Sequence, residues 1–331
     1  MKKILLFSLM ALTIVSCKKD TKNEPEPTPE PTSNCPPSSC VSPDTMFNMP
    51  TSGGPFLIFK FKFDSTQARL NNLGMPATIP STNAAVSPVF NRMSAHYIEM
   101  APTDLTPVGG GKVLYRAPET TCDGDNAIAF CQSIVARDGQ TFYAVPLSSI
   151  TPGSYKWLRV SLAYQNYDIP YLNTATTGSI TQWGTIASFV GFNNYITQYK
   201  IKNQMVTPSS SLGGPGNHLQ GYWGFETQFA SVTYTTDGQP PAGATTVVNP
   251  NPSSPIPAGS CLVTGEFFNT VGGLNMPLTI TGTETSDIVI TVSLSTNKSF
   301  EWKEVNFNGY YEPLAGEFPV DMGLRGMIPK Y

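Results

Sequence analysis

In the stretch Phe56-Leu57-Ile58-Phe59-Lys60-Phe61-Lys62-Phe63, Leu57, Phe59, Phe61 and Phe63 fall on one side of an extended backbone. Lys60 and Lys62 fall on the other. That period of two marks a strand with one buried face. It returns at 155–165, where Leu158, Val160, Leu162 and Tyr164 oppose Arg159, Ser161 and Ala163. Further extended runs are read at 90–100, 111–116, 127–135, 141–147, 180–192, 195–202 and 221–235. Asp138-Gly139, Pro152-Gly153 and Gly213-Gly214-Pro215-Gly216 supply turns between them. Beyond the N-terminal signal, no stretch repeats apolar residues at helical spacing. The patterns predict a mostly β chain whose body is an antiparallel, sandwich-like unit. Only 13% of residues are charged while 40% are hydrophobic, so a sizeable core can form.

The main β domain is read at 51–240. A Pro-rich loop or linker follows at 241–258. Residues 259–331 read as a small β-meander packed on the body, with Gly272-Gly273, Asn297-Lys298 and Asn308-Gly309 as its turns. Asn308-Gly309 is the strongest hairpin signal in the chain.

The N-terminus fixes a compartment. Lys2 and Lys3 precede an apolar run from Ile4 to Val15, too short to span a bilayer, which ends in Ser16-Cys17. Ile14-Val15-Ser16-Cys17 resembles a bacterial lipobox. That resemblance implies a signal at 1–16, cleavage before Cys17, and acyl chains anchoring the mature chain to a membrane. Lys18 in place of Asp after the cysteine points to the outer membrane. The segment 17–50 reads as a tether, because Glu24-Pro25-Glu26-Pro27 and Pro29-Glu30-Pro31 favour extended polyproline II. At about 3.1 Å per residue, residues 18–45 reach on the order of 85 Å. Loss of the signal leaves 18 basic against 23 acidic residues. No basic stripe suggests a nucleic-acid partner.

Besides Cys17 there are five cysteines, and an oxidising envelope permits disulfides. Close spacing favours Cys35 with Cys40 and Cys122 with Cys131, leaving Cys261 over.

No catalytic constellation is recognisable. His96 and His218 are the only histidines, and neither sits in a nucleophile motif. Gly109-Gly110-Gly111-Lys112 lacks the spacing of a phosphate loop. Glu99, Asp104, Glu119, Asp168, Glu226 and Glu301 could supply a glycosidase pair, but nothing singles one out. Asp123-Gly124-Asp125-Asn126 offers hard oxygens to calcium or forms an ordinary turn. Tyr164, Tyr167, Tyr171, Trp183 and Trp223 are candidates for an exposed row that stacks sugar rings, or for core. The test between these is whether Trp183 and Trp223 are exposed on one common face. His96 and Met100, four apart on one strand, are candidate copper ligands, with Met93 on the opposite face.

The segments Phe59-Lys60-Phe61-Lys62-Phe63-Asp64 and Phe90-Asn91-Arg92-Met93-Ser94-Ala95-His96-Tyr97-Ile98 resemble the opening of MbnP-like copper-associated envelope proteins. In that family copper is held by His with a modified Trp. Here the matching region has one His and no Trp before Trp157, so the resemblance does not carry a copper site over. The expectation is an envelope lipoprotein that binds rather than catalyses, capturing a glycan or nutrient. The other classes are a copper- or metal-binding protein and a structural or adhesive surface protein with an envelope partner.

Overall fold

The computed structural model describes residues 35–36, 40, 45–70, 75–175, 178–240, 256 and 260–331. The signal at 1–16, Cys17, most of the 17–50 tether and all of 241–258 except Ile256 lie outside the described residues. The body is mostly β, as the period-two patterns predict. Its main strands in chain order are β1 (Phe56–Asp64), β2 (Asn83–Val86), β3 (Val89–Ala101), β4 (Lys112–Arg116), β5 (Thr141–Pro146), β6 (Trp157–Asn173), β7 (Ile180–Ser188), β8 (Trp223–Phe229), β9 (Val232–Gly238), β10 (Cys261–Glu266), β11 (Ile288–Ser295), β12 (Phe300–Lys303), β13 (Pro319–Asp321) and β14 (Met327–Lys330).

One sheet runs β9-β8-β7-β6-β3-β4, with β10 beside the first half of β6. A second contains β14-β11-β1-β5 in that order. The two sheets close on a shared core. Leu57, Phe59 and Phe61 of β1 and Ile290, Val292 and Leu294 of β11 meet Met93, Ile98 and Met100 of β3 and Leu158, Val160 and Leu162 of β6. Each such side chain contributes about 1.5–3 kcal/mol by leaving water. The reverse face of β1 is not bare: Phe56 and Ile58 pack with Ala144 and Phe47, so the end of the tether covers it.

The C-terminal segment goes further than packing on the body. β10 pairs with β6, β11 runs parallel to β1 with Leu57 opposite Ile288, and β12 pairs with β2. The last 71 residues therefore supply strands to each of these sheets as well as pairing among themselves, β11 with β14 and β12 with β13. Asn308-Gly309 does not make a tight hairpin. β12 and β13 pair across a loop spanning 304–318.

Three bulges interrupt the long β3–β6 ladder. Asn91, Ala163 and His96 each lack a partner in its register. An extra residue reverses the alternation beyond it. Met93 and Ala95 before His96, and Ile98 and Met100 after it, consequently face the same core. Tyr164 leaves the face of Leu162 and packs with Phe130 and Phe189 in a second cluster.

The disulfides differ from the spacing expectation: Cys35 bonds Cys122, and Cys40 bonds Cys131. Sequence neighbours do not pair; each bridge instead ties the tether to the loop around β-bridged residues 119–135. Separations of 87 and 91 residues make these large closed loops, each on the order of 4–5 kcal/mol in the chain-entropy account. Among the described residues Cys261 is the free thiol, buried in the core, and burial pushes its pKa up to about 11. A thiol so placed is inert.

Candidate functional site

The first of the bulges builds a cleft. Asn91, left without a partner, turns its amide toward β6 and donates to Asn166 Oδ1 at 3.1 Å and Asp168 Oδ1 at 3.3 Å. Asn166 is fixed in turn by donating to the Ile201 carbonyl at 2.9 Å and to the Tyr164 hydroxyl at 3.2 Å. Thr185 Oγ1 also donates to Asp168, at 2.5 Å. These groups lie in a cleft of about 480 Å3 with Met46, Arg92, Val135, Arg137, Lys200, Ile201 and Lys202 around them. Arg92 reaches across to the Lys200 carbonyl at 3.2 Å, joining β3 to the 199–206 hairpin. That hairpin is seated by Glu226, whose carboxylate accepts from the backbone N–H groups of Lys202, Asn203 and Gln204. Four cationic side chains thus line the cleft against a single carboxylate. A volume of this size suits a small ligand.

The aromatic row read from the sequence is not present as a surface. Tyr164, Tyr167 and Tyr171 are buried. Tyr167 and Tyr171 pack with Ile186, Phe225, Phe300 and Trp302, and Trp223 is partly buried against the same cluster. Trp183 is 56% exposed. Trp223 stands opposite Ser188 and shares its face, whereas Trp183 lies an odd number of residues from Ser188 in β7 and points the other way. The two tryptophans therefore form no common platform. Large aromatics on consecutive strands serve the sandwich interior.

His96 and Met100 are also separated. The bulge at His96 directs its ring away from the Met93/Met100 core, against Phe192 at 5.2 Å. His96 Nε2 lies 2.7 Å from Glu119 Oε1, and Arg116 and Asn126 bond the same carboxylate. Burial pushes the Glu119 carboxyl up, but these hydrogen bonds and the attraction of His96 outweigh it and hold the group down at about 2. Met100 is buried among apolar side chains.

The remaining acids are held by the fold. Asp123 accepts from the Asn217 N–H at 2.8 Å, which makes the 123–126 segment a brace for the 216–219 strand. Glu99 lies 3.5 Å from Arg159 and accepts from the Gly109 and Gly111 N–H groups. A Cβ at Gly111 would meet the Met100 carbonyl at 2.3 Å, which is why the glycine run is needed there. Glu301 pairs with Arg69 at 2.5 Å and Arg325 at 3.7 Å.

Among the cleft residues only Asp168 belongs to the acids that the sequence offers as candidates. Asn91, Arg92, Arg137, Lys200 and Lys202 come from three separate segments, and single cations on strands carry no pattern of their own. Comparison with known proteins finds no family model that matches the chain, no similar curated protein and no similar solved structure.

Proposed function

We propose that this chain is a lipid-anchored, outer-membrane envelope protein that captures a short acidic glycan or comparable anionic nutrient in the cleft. The observation that carries this reading is the cationic set Arg92, Arg137, Lys200 and Lys202 around a floor of Asn91, Asn166 and Asp168. Amides and a carboxylate held in fixed positions suit the paired hydroxyls of a sugar, and guanidinium and ammonium groups suit its carboxylate or sulfate. Met46, Val135 and Ile201 offer apolar contact to ring faces. The tether suits capture, since it gives the body reach from a membrane surface.

The test is titration calorimetry of the purified protein with uronic-acid-bearing, sulfated and neutral oligosaccharides of matched length, at low and physiological salt. Acidic chains are expected to bind, more weakly as salt rises. Equal binding of neutral chains, or no binding of any, would overturn the reading.

A further inference from the structure

Exposed apolar side chains are sparse over most of the body, but they gather in the loop between β12 and β13. There Val305, Phe307, Tyr310, Leu314 and Phe318 are all exposed, from 40% at Phe318 to 69% at Phe307. Among the described residues no other stretch of that length exposes as many. The charged residues of 304–318 are Glu304, Glu312 and Glu317, and all three are buried. The remaining exposed residues are Asn306, Asn308, Gly309 and Gly316, so the outer surface of the loop carries no charge. A gathering of exposed apolar groups of this kind marks a contact surface.

The buried acids hold the loop in this shape from within. Glu304 Oε1 accepts from the Asn308 and Gly309 N–H groups, both at 3.1 Å. Glu312 Oε2 accepts from the Asn306 and Asn308 amides at 2.7 Å and 2.8 Å. Glu317 accepts from the Val305 N–H at 3.0 Å and the Glu312 N–H at 2.6 Å. Tyr311 roots the loop on the body: its carbonyl accepts from the Leu172 N–H of β6 at 2.8 Å, and its ring packs on Phe300 and Trp302. A backbone tied in this way keeps its apolar side chains outward. Phe307 takes a left-handed φ of +52°, which is unfavourable for a bulky residue. Strain that holds an exposed aromatic in place points to a contact made by that aromatic.

Area separates the possible occupants. At about 150–250 Å2 for a whole aromatic side chain, the five exposed fractions amount to roughly 500 Å2. A stable interface with a second copy or another protein takes about 800 Å2 from each partner. A bilayer sets no such threshold for a chain that acyl groups already hold at its surface, because a modest apolar contact adds to the first anchor. Aromatic rings beside uncharged amides suit the headgroup boundary, which is apolar on one side and wet on the other. The length of the tether fits as well. The Cys35–Cys122 bond fixes where the tether meets the body and leaves residues 18–34 between that point and Cys17. At about 3.1 Å per residue these span at most on the order of 50 Å, comparable to the breadth of a globular body of about 300 residues. The body is thus held within reach of the membrane, with enough slack for the loop to face it.

We infer that the 305–318 loop is a lipid-contacting surface, on which the body rests against the headgroup boundary of the membrane that anchors it. The inference takes the chain's location from the lipid-anchored reading above. Phe307 and Leu314, the most exposed of the five, are the side chains that enter. The contact involves no charge on the loop, so zwitterionic lipid suffices and salt has little effect.

The experiment uses the full chain, expressed in a host that acylates lipoproteins and reconstituted on phosphatidylcholine vesicles with or without bromine on the acyl chains. Tryptophan emission of Phe307→Trp is read against that of the parent. An inserted side chain lies about 5–10 Å into the boundary, so the emission that Phe307→Trp adds should fall by roughly half on brominated vesicles, at low and high salt alike. Leu219→Trp, at a residue 69% exposed on the 216–219 strand, should add emission that is not quenched. Adding Leu314→Asp to Phe307→Trp should remove most of the quenching. The mass of the N-terminal peptide reports acylation separately. Quenching of Phe307→Trp in a chain without acyl groups would keep the loop and remove the anchor. An acylated chain without quenching would keep the anchor and overturn the loop. Equal quenching of Leu219→Trp would also overturn it. So would self-association that Phe307→Ser abolishes while Phe307→Trp stays unquenched, which would give the surface to a second copy.

Discussion

The cleft beside β3 and the loop between β12 and β13 are opposites. The cleft gathers four cationic side chains around one carboxylate. The loop gathers three buried carboxylates and no cation among the described residues. Between these extremes stands the Glu99–Arg159 pair, where the fold balances its own charge inside the β3–β6 ladder. The difference teaches that the fold sorts its charges by sign. A charge met across a ladder holds strands together, and a gathering of one sign around a shaped cleft attracts a ligand of the other sign.

The largest effect should come from breaking the balanced pair. Arg159 donates to the Thr106 and Pro107 carbonyls as well as lying beside Glu99, which is fully buried. Arg159→Met would leave Glu99 without a cation, at a cost of about 3–5 kcal/mol. Urea unfolding should show the midpoint falling steeply. Equal loss on Glu304→Gln would erase the distinction between balanced and unbalanced carboxylates.

Next in size is the cleft. Arg92→Ala with Arg137→Ala should lower affinity for an acidic oligosaccharide by roughly 10- to 100-fold, about 1.4–2.8 kcal/mol, and flatten its salt dependence. Fold stability should move far less, because Arg137 is exposed and Arg92 half-buried. If affinity is unchanged while stability collapses, the cations brace the 199–206 hairpin and do not receive a ligand.

Both regions were only partly legible in the sequence, and the reasons are physical. Alternation correctly places Leu57, Phe59 and Phe61 in the core, because β1 carries no extra residue: it pairs without a break with β11, and the register shift against β5 falls at Phe142 of β5. It misplaces Met93, Met100 and Tyr164, because the bulges at Asn91, His96 and Ala163 shift the register without any local signature. Cysteine spacing suggests neighbours, but Cys35 and Cys40 each bond into the 119–135 region, to Cys122 and Cys131. Asn308-Gly309 carries turn chemistry, yet it serves a loop closed by Glu304 and not a two-residue hairpin. The cleft is assembled from strands and a hairpin far apart in the chain, so no short window contains it.

Glu119 offers an intermediate case. Its carboxylate is satisfied by His96, Arg116 and Asn126 and sits at about 2, below its ordinary 4.5. A depressed carboxyl contributes stability that is fully present above the unfolded value and is lost as pH falls from about 4.5 toward 2. The group is only half-buried, so solvent screening reduces this to on the order of 1–2 kcal/mol. Glu119→Gln should unfold in acid with a shallower pH dependence across that window than the parent does. An identical dependence would show that Glu119 is not held by its neighbours in solution.

The smallest effect expected is at Trp183, and its smallness is informative. Trp183 is exposed on the face of β7 opposite to Trp223 and the buried tyrosines. Trp183→Ala should change stability by less than about 0.5 kcal/mol, as surface substitutions do. It should also leave acidic-glycan affinity unchanged, since Trp183 does not line the cleft. A tenfold loss of affinity would move recognition from the cationic cleft to an aromatic surface on the far side of β7. The surplus of cations around Asn91 would then need another explanation.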